Sequence, residues 1–315
     1  MNLPRFALLA GLAALSVVSA QARIERVVEK TFNVAPGGTL TVSTHGGEVK
    51  VEPGQGNGVK VVARQTFPRA DSEAEADEIL RDLEFSVEQS GNDVSAHARY
   101  QKRGTGGWWG GGRPAVSVAF TVTVPSTYNV DLATSGGNIT VGDLTGTAKV
   151  RTSGGDLRFG RFRGPVDGRT SGGNIIVAEA ADRVNLSTSG GDIRVERVTG
   201  EVELSTSGGN ISIESVRGSL NASTSGGNVS AGIDGPVTKD VSLSTSGGNV
   251  TARVAKDAAF RLEAKTSGGS VRADGLTITL DSGGSGRSKL AGTVNGGGPL
   301  VKLRTSGGDV TVATR

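Results

Sequence analysis

The sequence predicts an all-β fold, a parallel β-solenoid (β-helix) of 18-residue coils, with one short helix in an N-terminal capping region. Three observations carry this. The phrase Thr-Ser-Gly-Gly begins at Thr134, Thr152, Thr170, Thr188, Thr206, Thr224, Thr245, Thr266 and Thr305, spaced by 18 residues five times and then by 21, 21 and 39. A fixed period of this size marks stacked copies of one supersecondary unit. Apolar residues alternate on both sides of each phrase, as at Val202 and Leu204 before it and Ile211 and Ile213 after it, which is the period of a half-buried strand. Finally, 50 of 315 residues are Gly and only 4% are aromatic, a composition of many turns and a thin core.

Taken in order, the chain opens with a single early charge at Arg5, an apolar run from Phe6 to Val18 and a small-residue site at Val18-Ser19-Ala20. That is a secretory signal peptide over residues 1–20, with Ala22 as the alternative cleavage point. The run is shorter than the ~20 residues of a membrane span, so no transmembrane segment is expected after cleavage. Residues 21–130 form an N-terminal variant coil and cap. TLTVSTHGGEVKV, residues 39 to 51, resembles a degenerate first coil in which His45 replaces the corner Ser. DSEAEADEILRDL has a capping residue, acidic first-turn residues and Ile79, Leu80 and Leu83 at helical spacing, which predicts a helix over 71–83. Strands follow at Glu84–Glu88, Val94–Tyr100 and Val116–Val124, and helix and strands together cover one end of the stack.

Residues 131–315 are the regular repeats, each a strand, a Gly-Gly corner, a second strand and a second corner. Expansions near Pro236 and Lys256 sit where a corner can bulge outward, and Leu276 to Val294 breaks the period before a last coil at Thr305–Asp309. The near-identity of the corner favours a solenoid over a meander. Stacking places Thr134, Thr152, Thr170, Thr188, Thr206, Thr224 and Thr245 in one column and Asn138, Asn174 and Asn210 in another, where like side chains form structural ladders. The residue after Gly-Gly runs Asn138, Asp156, Asn174, Asp192, Asn210, Asn228, Asn249, Ser270, Asp309, so no two Asp occupy successive coils. Carboxylates one coil apart would repel, whereas an intervening amide separates them and can donate to both. Parallel crossovers are right-handed as a rule, which sets the expected hand.

Little in the chain suggests reaction chemistry. It has no Cys and only His45 and His97, so there is no disulfide, no His/Cys metal cluster and little material for a Ser-His-acid triad. No cofactor is expected. The net charge of +3, or +2 without Arg5, is far below that of a dedicated nucleic-acid binder. Candidate ligand contacts are Trp108 and Trp109 in RGTGGWWGGGRP, two aromatics on a glycine tether, and Arg151 and Arg169, in the same outward position of successive coils with Arg158 close in sequence. Ser205 and Ser207, with Ser187, Ser189, Ser223, Ser225, Ser244 and Ser246, form a small, uncharged outer strip. Asp156 and Asp192, two coils apart, are spaced near the upper end for an inverting carboxylate pair. Their companions Arg158 and Arg194 suit structural carboxylates better than a general acid.

With these features assembled, the chain resembles an uncharacterised bacterial family of exported β-strand-repeat proteins named putative adhesins. The resemblance spans about Phe32 to Val312 and rests on the Thr-Ser-Gly-Gly-Asn/Asp phrases, Val122-Thr-Val-Pro125 and Asn295-Gly-Gly-Gly-Pro-Leu300. It implies a β-solenoid at the cell envelope and carries over no catalytic or ligand residues. The expectation is a non-enzymatic exported scaffold, in the periplasm, at the cell surface or secreted, that contacts a polysaccharide, lipid or protein of the envelope or matrix. The alternatives are a polysaccharide-active β-helix enzyme and a regulatory partner in envelope stress.

Overall fold

The computed structural model describes residues 24–100 and 116–315 of the chain. Each coil gives one strand to each of two fourteen-stranded sheets, which face one another across the core. In the coil of residues 202–216, Val202–Ser205 lies in one sheet and Ile211–Val216 in the other, joined by the Gly-Gly corner. Val202, Leu204, Ile211, Ile213 and Val216 are buried, and Glu203 and Ser205 face outward, because successive strand side chains point to opposite faces. Neighbouring coils run parallel and in register, Val184 on Val202 on Leu220 in one sheet and Ile193 on Ile211 on Val229 in the other.

The core is a narrow column mostly of Val, Ile, Leu and Ala, with a few aromatic rings among them. A Cβ on Gly168 would stand 2.9 Å from Leu186 and 3.2 Å from the Phe159 ring, so the missing side chain makes room for the aromatic across the core. Phe159 in turn meets Phe162 edge to face, with ring centres 6.0 Å apart.

Stack order departs from chain order at both ends. The coil expected to be first, Thr39–Thr44 with Val49–Gly54, is the second layer. It lies between Asn129–Thr134 with Ile139–Val141 on one side and Asp93–Tyr100 with Ser117–Pro125 on the other. The coil that is last in sequence, Leu300–Arg304 with Val310–Thr314, fills the layer between Val241–Ser244 with Val250–Val254 and Phe260–Lys265 with Val271–Asp274. The spacing of 39 between Thr266 and Thr305 is therefore a segment that leaves the stack, turns through a hairpin and returns.

Antiparallel strands cover the ends. Ile24–Asn33 pairs with Gly58–Phe67, which pairs with Ser117–Pro125, and Leu83–Ser90 pairs with Asp93–Tyr100. At the opposite end Lys289–Val294 pairs with both Phe260–Lys265 and Ile278–Gly286. The helix runs Glu73–Arg81, capped by Ser72, whose hydroxyl accepts from the Glu75 N–H at 3.3 Å while the Glu75 carboxylate accepts from the Asp71 N–H at 2.8 Å. It stops short of Leu83 because that residue begins the strand Leu83–Ser90. Arg26 ties the helix to the outermost strand through Glu73 and Asp77, each at 2.6 Å.

Tyr128 is buried where the second and third layers meet, and its hydroxyl donates to the Asn92 carbonyl. Burial, helped by the Asp93 charge, pushes the phenol up to about 12 from 10.0. A raised acid pKa means the folded protein holds this proton more tightly than the unfolded chain. The resulting stability is complete below about pH 10 and is lost as pH rises toward about 12. Denaturation followed by circular dichroism between these limits should show the wild type losing more stability than Tyr128→Phe, which has no proton to lose.

Candidate functional site

The repeated corner is built from buried threonine. Thr206 Oγ1 donates to the Gly191 carbonyl of the layer before it at 3.0 Å and accepts from the Gly209 N–H of its own layer at 3.3 Å. The same pair of bonds recurs at Thr134, Thr152, Thr170, Thr188, Thr224, Thr245, Thr266 and Thr305. The threonines do stack, but they bond to backbone rather than to each other. A buried hydroxyl needs partners, and the glycine carbonyl and N–H beside it supply both. The second glycine is what lets the layers approach: a Cβ on Gly209 would lie 1.9 Å from the Gly191 carbonyl oxygen. At the first glycine there is more room, with the nearest atom to a Cβ at 3.6 Å on Gly190 and at 3.1 Å on Gly247.

The Asn and Asp column is a true ladder. Asp192 N–H donates to Asn174 Oδ1 at 2.8 Å, Asn210 N–H donates to Asp192 Oδ1 at 2.7 Å, and Asn228 N–H donates to Asn210 Oδ1 at 2.9 Å. It continues through Asn249 and Asp309 to Ser270 in stack order, which keeps the carboxylates apart despite the interleaved last coil. Where the amide nitrogen also bonds, it reaches the side chain of the layer before it and not the one after: Asn174 Nδ2 to Asp156, Asn210 Nδ2 to Asp192 and Asn228 Nδ2 to Asn210. The Asp156 carboxylate also holds Arg158 at 2.9 Å. At the end of the column, the Ser270 N–H and hydroxyl, with Arg272 and Arg287 nearby, hold Asp309 below the usual carboxylate range. The threonine hydroxyls and the Asn and Asp side chains at the corner are thus committed to the layers themselves, whereas the corner serines, such as Ser189 and Ser207, are exposed.

The side chains left on display are these corner serines and the outward strand positions. Arg151 and Arg169 are directly paired in register and exposed. Arg169 reaches Asp167 at 3.3 Å, whereas Arg151 has no ion pair among the described residues. Arg158 lies on the opposite sheet, so the structure does not bring it to the Arg151–Arg169 face. Ser187, Ser205, Ser223 and Ser244 continue the Arg151–Arg169 column in successive layers. Trp108 and Trp109 lie outside the described residues. The same column ends in Arg304, Lys265 and Lys289, which the sequence analysis does not single out. The signal was available for two of them: Lys265 and Arg304 immediately precede Thr266 and Thr305, as Arg151 and Arg169 precede Thr152 and Thr170. Among the described residues there is no group of three or more His, Cys, Asp or Glu placed to hold a metal ion, and no helix long and apolar enough to cross a membrane.

The model of the Toastrack DUF4097 family matches residues 38–313, and the chain belongs to that family. Similar solved structures include a putative adhesin from Parabacteroides distasonis (13% identity, covering 92% of this chain and 97% of that one, TM-score 0.45). Others are putative adhesins from Bacteroides fragilis (13%, 92% and 97%, TM-score 0.39) and Parabacteroides merdae (12%, 92% and 96%, TM-score 0.43). No curated protein matches the chain.

Two adjacent glycines should respond very differently to the same change. Gly191→Ala places a methyl group 2.0 Å from the Gly173 carbonyl oxygen and should force neighbouring layers apart, whereas Gly190→Ala meets only ordinary contacts. Thr206→Val, which deprives the Gly191 carbonyl and the Gly209 N–H of their partner, should cost about 1–3 kcal/mol, and Thr206→Ser should recover most of the loss. Urea unfolding of the four variants measures each effect.

Proposed function

We propose that the protein is an exported, non-enzymatic β-repeat scaffold that binds a component of the cell envelope or surrounding matrix through its outward strand faces, in the manner of an adhesin. The observation that carries this reading is the commitment of the repeated Thr, Asn and Asp side chains to bonds between layers. Nine copies of a polar corner look like nine sites in the sequence, yet each threonine hydroxyl and each Asn or Asp side chain already serves a neighbouring coil. Freely displayed are the corner serines and the outer column, the latter with Arg151 and Arg169 at one end and a run of serines beside them. A basic pair without full compensation is an electrostatic contact for an anionic partner. The pattern of a secretory signal in residues 1–20 supports an exported scaffold.

A glycan and lipid array probed with the protein lacking residues 1–20 should show retention of an anionic component without chemical change to it. Arg151→Gln with Arg169→Gln should weaken retention at that face, and the effect should shrink as salt rises. Turnover of an acidic polysaccharide that disappears in Asp192→Asn would replace this reading with that of a polysaccharide-active enzyme.

A further inference from the structure

The chain's positive charge is concentrated at one end. Residues 258–315 hold eight Lys and Arg against four Asp and Glu, whereas the whole chain is only +3. In the outer column of one sheet, Ser244 is followed in successive strands by Arg304, Lys265 and Lys289, all exposed. Neighbouring strands lie about 4.8 Å apart, so the three cations form a line along the stack axis. Like charges directly opposite one another are unfavourable.

Acids nearby do not relieve them. Arg261 is the residue that Asp281 faces, at 3.8 Å, and Glu263 lies in register with Lys302 in the adjacent column. Arg304, Lys265 and Lys289 have no ion pair among the described residues. They line a cleft of about 360 Å³ with Arg261, Glu263 and Asp281. The cleft owes its depth to the hairpin, where the pairing of Ile278–Gly286 with Lys289–Val294 slips between Leu280 and Ser285. Gly283 at φ 67 and the buried Gly284, where a Cβ would stand 2.3 Å from the Ala291 carbonyl oxygen, allow that segment to fold over the outer face. Such irregularities commonly re-aim strand ends beside functional sites.

We infer that this cleft binds a linear glycan bearing carboxylate or sulfate groups. Three cations in line at strand spacing match anions repeated along a polymer, whereas a single phosphate would call for converging donors. Among the described residues no aromatic ring lines the cleft, so they offer no stacking platform of the kind that single-stranded nucleic acid uses. The serine column running away from Arg304 offers hydroxyls in the direction a longer chain would follow. This inference rests on the scaffold reading above, and adds to it the ligand class and a second locus.

Fluorescence anisotropy with a labelled oligogalacturonate and a sulfated dextran oligomer tests it, with neutral dextran and a single-stranded DNA oligomer as comparisons, at physiological salt. Both acidic glycans should bind and neutral dextran should not. Lys265→Gln, Lys289→Gln and Arg304→Gln combined should weaken binding roughly tenfold or more. The thermal midpoint of that variant should not fall, since exposed like charges are being removed. Arg151→Gln with Arg169→Gln should change binding of these probes far less. Undiminished binding by the triple variant, equal binding of DNA through the same three residues, or no binding of either acidic glycan to the wild type would each overturn the inference. If the array identifies another ligand while both acidic glycans fail, the glycan cleft is refuted and the scaffold stands.

Discussion

The approach of one glycine corner to the next governs this molecule. Parallel strands stack at about 4.8 Å, and the corner that joins the two sheets must keep the same spacing although it is not itself a strand. The second glycine permits the contact, with no Cβ to strike the carbonyl before it. Threonine then fixes it, since its hydroxyl joins that carbonyl to the N–H of its own layer from inside the core. The Asn or Asp that follows secures the outer side by accepting the next layer's N–H. Three chemically different residues thus hold one distance, and their identity from coil to coil follows from the repetition of that distance.

This is why the fold was so legible and the site was not. Alternation around Thr-Ser-Gly-Gly reveals the strands, and the separation of Asp156 from Asp192 by Asn174 reveals that corners stack. Layer order was not legible. Nothing in residues 39–54 says that a coil from residues 93–125 will pair on their far side, because pairing between distant segments follows end-to-end fit rather than period. The expected Thr-on-Thr ladder failed for a local reason: burial turns each hydroxyl toward backbone. Arg158 illustrates a different error, since closeness in sequence across a corner means opposite sheets in space.

The interleaving at both ends has a mechanical meaning. A coil added in simple order can peel from the end of a stack, because only one neighbour holds it. Here Leu300–Arg304 and Val310–Thr314 have strands on both sides, and the outer of these is joined to them through the hairpin. To expose the layer of residues 300–314, the outermost coil must leave as well. Arg315 reaches back to the Glu214 carbonyl and to Asp234, tying that inserted layer to earlier ones. Entropy lost in closing these long loops rises only slowly with their length, so burial of a complete layer readily offsets it.

Stacking also constrains where charge can be displayed, because an outward residue meets its counterparts above and below at strand spacing. Most columns respect this. Asp131, Lys149, Asp167, Asn185, Glu203 and Asn221 follow one another without a like-charge contact, and Arg161, Glu179 and Arg197 alternate in sign. The column before the threonine breaks the pattern twice, at Arg151 with Arg169 and at Arg304 with Lys265 and Lys289. Packing does not demand cations there, since serine occupies the same position in four intervening layers. Repulsion at these two places is a cost that the fold has no structural reason to carry, and an anionic ligand would turn it into attraction.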